Sequence, residues 1–97
     1  MIRFTKASFG KIRVAIVQSA DKCVYFKLIE VLRILFKTCG HTYIDDRHVT
    51  VFSEFPNTKF VSLTGLMLLT DLSPLKDAKN LQLWALEQSF KIHTQPQ

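Results

Sequence analysis

The stretch Ile44–Leu66, IDDRHVTVFSEFPNTKFVSLTGL, and the stretch that follows it, Met67–Ser89, MLLTDLSPLKDAKNLQLWALEQS, align at an offset of 23 residues. In that alignment Val49 falls on Leu72, Phe52 on Leu75, Phe55 on Ala78, Asn57 on Asn80, Phe60 on Leu83 and Leu63 on Leu86. A fixed apolar period of this length marks stacked units, because one unit cannot bury its apolar face alone and shares it with a neighbour. Within the units the pattern positions are Phe52, Phe55, Thr58, Val61 and Leu63, then Leu75, Ala78, Leu81, Trp84 and Leu86. Both run through steps of three and end on a step of two, where a strand points alternate side chains inward. Strands are therefore expected around Val49–Phe52, over Lys59–Thr64 and over Leu81–Glu87. Between the last two, Pro74 suits the first turn of a short helix capped by Asp71 or Ser73.

Upstream, Ile2–Phe9 and Lys11–Ser19 read as two strands joined near Gly10, the second marked by Ile12, Val14 and Ile16 alternating with Lys11, Arg13 and Ala15. Ser19 or Asp21 then caps a helix predicted to run to about Cys39, with Gly40 as its left-handed stop. On that helix Val24, Leu28, Val31, Leu32, Leu35 and Cys39 share one face, and Lys22, Glu30, Arg33 and Lys37 share the other. Cys23 and Cys39 would sit about 24 Å apart along it, at roughly 1.5 Å per residue, well beyond the roughly 7 Å limit for a disulfide, so both are expected as thiols. His93–Gln97 reads as a frayed polar tail.

With 97 residues, 47% of them hydrophobic and eight Phe, the chain fits one domain with a modest core. Charge is uneven. Up to His41, eight basic residues face only Asp21 and Glu30, a net +6; from Thr42 on, five basic residues face six acidic ones, a net −1. The pI near 9.5 is a weak hint of an anionic partner and is common among ordinary proteins with a solvated basic surface. The opening Met-Ile-Arg-Phe-Thr-Lys has no signal-peptide pattern, and Val24–Phe36 is broken by Lys27, Glu30 and Arg33 and is too short for a membrane span. A cytoplasmic setting without membrane contact is the expectation.

The run Leu69-Thr-Asp-Leu-Ser-Pro-Leu75, then Lys76-Asp-Ala-Lys-Asn-Leu81 and Trp84–Leu86, resembles a bacterial leucine-rich-repeat protein of the internalin type over residues 44–89. That resemblance implies a parallel sheet on the inner face of a curved solenoid, binding of protein partners and no catalytic residues. The usual asparagine after the repeat strand is missing: Gly65-Leu66 and Gln88-Ser89 stand in its place. The expected fold class is thus α/β: N-terminal strands and one long amphipathic helix over residues 1–41, then two repeat-like coils forming a small, partly parallel sheet. The alternative is an α/β sandwich whose two β-loop-helix units resemble each other by chance.

In the repeat arrangement Phe60, Ser62, Leu83 and Ala85 project from the far side of the sheet, with Lys59 and Glu87 at the rim, while Leu63 and Trp84 belong to the core. This stripe is the expected protein contact, and self-association follows from the open edge of a short parallel sheet. The alternative is nucleic-acid binding by a basic surface of Lys11, Arg13, Lys22, Arg33 and Lys37, with Tyr25 and Phe26 available for stacking and Glu30 interrupting the patch. His41, His48 and His93 hold no metal-ligand spacing with Cys23 or Cys39, so neither metal nor cofactor is expected. Asp45, Asp46 and His48 read as an acidic turn rather than an acid-base pair, and with three glycines there is no phosphate loop. The expectation is a non-catalytic interaction module.

Overall fold

The computed structural model describes residues 2–36, 45–73 and 77–94, the final two by their backbone alone. Strands β1 (Arg3–Phe9) and β2 (Ile12–Gln18) pair antiparallel from Arg3 with Gln18 to Phe9 with Ile12. Gly10, at φ 60°, opens the two-residue turn between them, where the twist of the strands demands a left-handed residue and glycine has no Cβ to object. The next turn closes through Ser19 N–H donating to the Cys23 carbonyl and Lys22 N–H to the Ser19 carbonyl, with Lys22 at φ 69°. Strand β3 (Val24–Lys27) runs directly into helix α1 (Leu28–Phe36). A 3₁₀ turn over Asp46–His48 leads into β4 (Val49–Thr50), then β5 (Phe60–Ser62), α2 (Leu63–Leu72) and α3 (Ala78–Thr94). The Ser62 hydroxyl caps α2 by accepting the Gly65 N–H at 3.1 Å.

The five strands form one sheet in the order β1-β2-β3-β5-β4, every pairing antiparallel. Alternation sends Val14, Ile16, Val24, Phe26 and Val61 to one side, where they meet Val31, Leu32 and Leu35 of α1, Leu66 and Leu69 of α2, and Leu81, Ala85 and Ile92 of α3. The helices are tied to one another and to the sheet by polar contacts. Ser73 Oγ donates to the Leu35 carbonyl at 2.6 Å, Gln82 Nε2 to Thr70 Oγ1 at 3.0 Å, and Trp84 Nε1 to the Ser8 carbonyl at 3.0 Å. Because β3 gives way to a helix, β2 loses its strand partner early. The Glu30 carboxylate takes that place, accepting the Ala15 N–H at 2.8 Å.

The small, partly parallel sheet expected above is corrected by these antiparallel pairings, and the two repeat-like coils do not form. Phe60–Ser62 is a strand, but its aligned partner Leu83–Ala85 lies in α3; Leu63 opens α2 against the core while Leu86 is exposed. Ala78, Leu81, Ala85 and Ile92 fall three, four and seven residues apart on the buried side of α3, and the apolar residues on its opposite side created the appearance of a repeated strand. The single long helix is also corrected. Val24–Lys27 pair with β2 and β5, and α1 starts only at Leu28, since β-branched and aromatic residues there satisfy a strand as well as a helical face. Cys23 consequently sits exposed in a turn rather than on the helix. The expected helix end, including Lys37, Cys39 and Gly40, lies outside the described residues, as do Pro74 and the last three residues of the tail.

Candidate functional site

The side of the sheet turned away from the helices carries two adjoining surfaces. One is aromatic. Phe60 is buried beneath Phe52 and Phe55, with ring centroids 5.5 and 5.9 Å away, while Tyr25 meets Phe52 at 5.3 Å and Phe4 meets Phe55 at 5.4 Å. The loop after β4 supplies Phe52 and Phe55 and so covers only part of the sheet, over Val17 and Phe60. Phe4, at the margin, remains 48% exposed.

The other surface is basic, and strand register builds it. Lys6 pairs with Ala15, Arg13 with Ser8, and Lys27 with Phe60; continuing the β2-β3 register by one position sets Lys27 beside Ala15. Directly paired residues share a face, so Lys6 and Lys27 flank Ala15 across three strands, about 10 Å apart at their Cα atoms, with Arg13 about 7 Å along β2. Neither ion pair found among the described residues involves Lys6, Arg13 or Lys27. The Glu30 carboxylate accepts the Ala15 N–H and makes no ion pair with any of the three among the described residues. Next to β1, a cleft of about 150 Å³ lined by Arg3, Phe4, Thr5, Gln18 and Ile92 opens between the strand edge and the end of α3.

The nucleic-acid set read from the sequence is not one surface. Lys11 lies in the β1-β2 turn next to Arg13, Lys22 lies at the opposite end of β2, Arg33 is exposed on α1 in the helical layer, and Lys37 is outside the described residues. Tyr25 does reach the sheet face, but Phe26 is fully buried beneath the helices and stacks on nothing external. Lys6, Lys27 and Phe4 belong to neither set of candidate residues read from the sequence. Lys6 and Phe4 were legible from pairing the two hairpin strands about Gly10, whereas Lys27 was hidden by its assignment to a helix.

The protein-contact set divides as well. Phe60 and Ala85 are buried, and Ser62 is spent on capping α2, so these three cannot be the outer stripe expected of them. Lys59 is exposed in the loop before β5, while Leu83 and Glu87 are exposed on α3. Leu83 shares its side of α3 with Leu86 and Phe90, and Leu68 and Leu72 occupy the outer side of α2. Their exposures are 65, 47, 69, 47 and 64% respectively.

Other chemistry-bearing groups are engaged locally. The Asp45 carboxylate is held below its usual range by hydrogen bonds from the Arg47 side chain and N–H, the former at 2.9 Å. Asp21 is lowered by hydrogen bonds from the Ser19 hydroxyl and the Cys23 N–H. The Cys23 thiol is pushed up, first by desolvation and then by Asp21, the opposite of what a thiolate nucleophile needs. Among the described residues no group of three His, Cys, Asp or Glu side chains is placed to hold a metal, and no helix is long and apolar enough to cross a membrane. No family model matches the sequence, and comparison with curated proteins and with solved structures yields no match.

Proposed function

We propose that this chain is a non-catalytic binding module that seats a single-stranded nucleic acid on the sheet face opposite the helices. The observation that carries the reading is the register-built set of Lys6, Arg13 and Lys27 around Ala15, next to the half-exposed ring of Phe4. Three cations that make no ion pair among the described residues form an electrostatic footprint for phosphates, and an exposed aromatic ring at its margin offers a base a stacking surface. A single strand suits this face better than a duplex: among the described residues no helix rises from it to enter a groove, and unpaired bases are what an aromatic on a flat sheet can receive. Of the residues expected to make a protein contact, Leu83 and Glu87 lie on the outer side of α3, a surface separate from this one.

Fluorescence anisotropy with a labelled single-stranded oligonucleotide tests the proposal. Neutralising three phosphates on a single strand gives a log-log salt slope of roughly −2. Combining Lys6→Glu, Arg13→Glu and Lys27→Glu removes that slope, whereas Arg33→Glu with Lys79→Glu, which reverses charges on the helical side, leaves most of it. Phe4→Ala weakens binding without changing the slope. Salt-independent binding, or an equal loss when the helical-side charges are reversed, disproves the assignment.

A further inference from the structure

A globular chain exposes many isolated apolar side chains, but rarely five large ones on one layer. Leu68 and Leu72 stand one helical turn apart on α2, and Leu83, Leu86 and Phe90 follow three and four residues apart on α3. Each stripe lies opposite its helix's buried residues: Leu66, Leu69 and Thr70 on α2, and Leu81, Ala85 and Ser89 on α3. The two helices pack together through Thr70 and Gln82, so both stripes look outward from the same layer.

We propose that this outer face docks against the same face of a second copy of the chain. Area is the first argument. Four roughly half-exposed leucines and Phe90 present on the order of 500 Å² of apolar surface, and an isologous contact counts the patch twice. About 1,000 Å² is then removed from water before any polar rim is included, near the lower bound of about 1,200 Å² for a stable interface. Charge is the second. The chain carries +5 overall, yet from Ser62 to Thr94 three acids, Asp71, Asp77 and Glu87, balance three lysines, Lys76, Lys79 and Lys91. Two copies meet here without net repulsion, whereas apposed sheet faces would confront Lys6, Arg13 and Lys27 with themselves.

Strand addition is the competing mode of self-pairing, and the sheet edges discourage it. At the β1 edge the Ser8 carbonyl already accepts the Trp84 indole N–H, and Lys6 projects from the middle of the strand; the other edge, β4, is two residues long. A dimer through the helices turns its two basic sheet faces outward, on opposite sides. Each copy then retains its nucleic-acid surface, and the dimer can join two strands.

Mass measured by sedimentation equilibrium over a concentration series decides the matter. The expected result is a transition from 11.2 kDa to twice that mass. Leu83→Glu with Leu86→Glu should raise the dissociation constant at least 100-fold, and Leu68→Glu alone should act in the same direction, each with unchanged circular dichroism. Val51→Glu, another exposed apolar position but outside the helical layer, should have no effect. A monomer at every concentration, or a dimer that survives the α3 substitutions or is abolished by Val51→Glu, overturns the proposal, whether the face then takes an unrelated protein or nothing. Oligonucleotide binding by the Leu83→Glu, Leu86→Glu monomer is measured in parallel, so that failure of the dimer and failure of the nucleic-acid surface register separately.

Discussion

Glu30→Ala isolates one hydrogen bond at the point where a strand becomes a helix. Ala15 is buried, and its N–H points to the side of β2 where the pairing with β3 has already ended, so the Glu30 carboxylate at 2.8 Å is the partner it has. Removing the carboxylate leaves a buried donor unsatisfied. Such a loss costs about 1–3 kcal/mol, toward the upper part of that range when the acceptor is charged. Because Glu30 is itself half-buried, about 2 kcal/mol is the expected loss. Helix propensity works the other way, since alanine is the better helix former, so a measured loss cannot be assigned to α1 itself. Glu30→Gln keeps an acceptor oxygen and gives up only the charge in the first turn of the helix, a cost of about 0.5 kcal/mol.

Urea unfolding followed by the fluorescence of Trp84, the single tryptophan, reads both variants. With an m-value of roughly 1–2 kcal/mol/M for a domain of this size, Glu30→Ala should lower the midpoint by about 1–2 M and Glu30→Gln by a few tenths. Native-state hydrogen exchange adds a local readout, because the Ala15 amide should lose protection in Glu30→Ala beyond the global change. An unchanged midpoint in Glu30→Ala would refute the reasoning. So would equal losses in the two variants, which would place the effect in the charge rather than the acceptor.

Gly10→Ala should cost about 1 kcal/mol through its left-handed backbone alone, since a Cβ there meets nothing within 4 Å; Gly10→Asn should recover part of it in the same urea assay. Leu32→Lys buries an unpaired charge between α1 and the sheet and should cost more than about 4 kcal/mol, seen as loss of the cooperative thermal transition. Ser89→Ala should be neutral or stabilising by up to about 1 kcal/mol, because Ser89 Oγ is buried without a hydrogen-bond partner among the described residues. Asp21 and Asp45 titrate below their unfolded values, so they bind fewer protons folded than unfolded just below the ordinary aspartate range. Their support is present above about pH 4 and is lost as pH falls through the lower folded values; Asp21→Asn with Asp45→Asn should flatten the acid limb of a plot of urea midpoint against pH.

Where one periodicity acts alone, the sequence discloses the structure. Ile12, Val14 and Ile16 alternate with polar or small residues, and Gly10 punctuates them, so the opening hairpin is legible with its turn. Val24, Phe26, Leu28, Val31 and Leu35 satisfy two patterns at once. The first two, two residues apart, point to the same side of a strand, and the last three follow a helical face, so the switch at Lys27–Leu28 leaves no break in apolar character. Only the tertiary pairing of Tyr25 with Ser62 and Phe26 with Val61 decides for a strand. In α3 the difficulty is reversed: residues that bury against the sheet and residues exposed on the outer side are both apolar, and the polar strip of Asn80, Glu87 and Lys91 lies between these two sides rather than opposite the buried one. The same ambiguity governs the binding surfaces. Arg13 was identifiable because its strand was, whereas Lys27 could be placed beside Lys6 only once β3 was known to be a strand. Leu83 and Glu87 are contacts on the expected strand and remain exposed on the helix that replaces it, because residues out of phase with Leu81 and Ala85 face outward there as well. What misled the reading of the fold, apolar residues in excess of what the core consumes, is therefore the same surplus that forms the proposed interface between two copies.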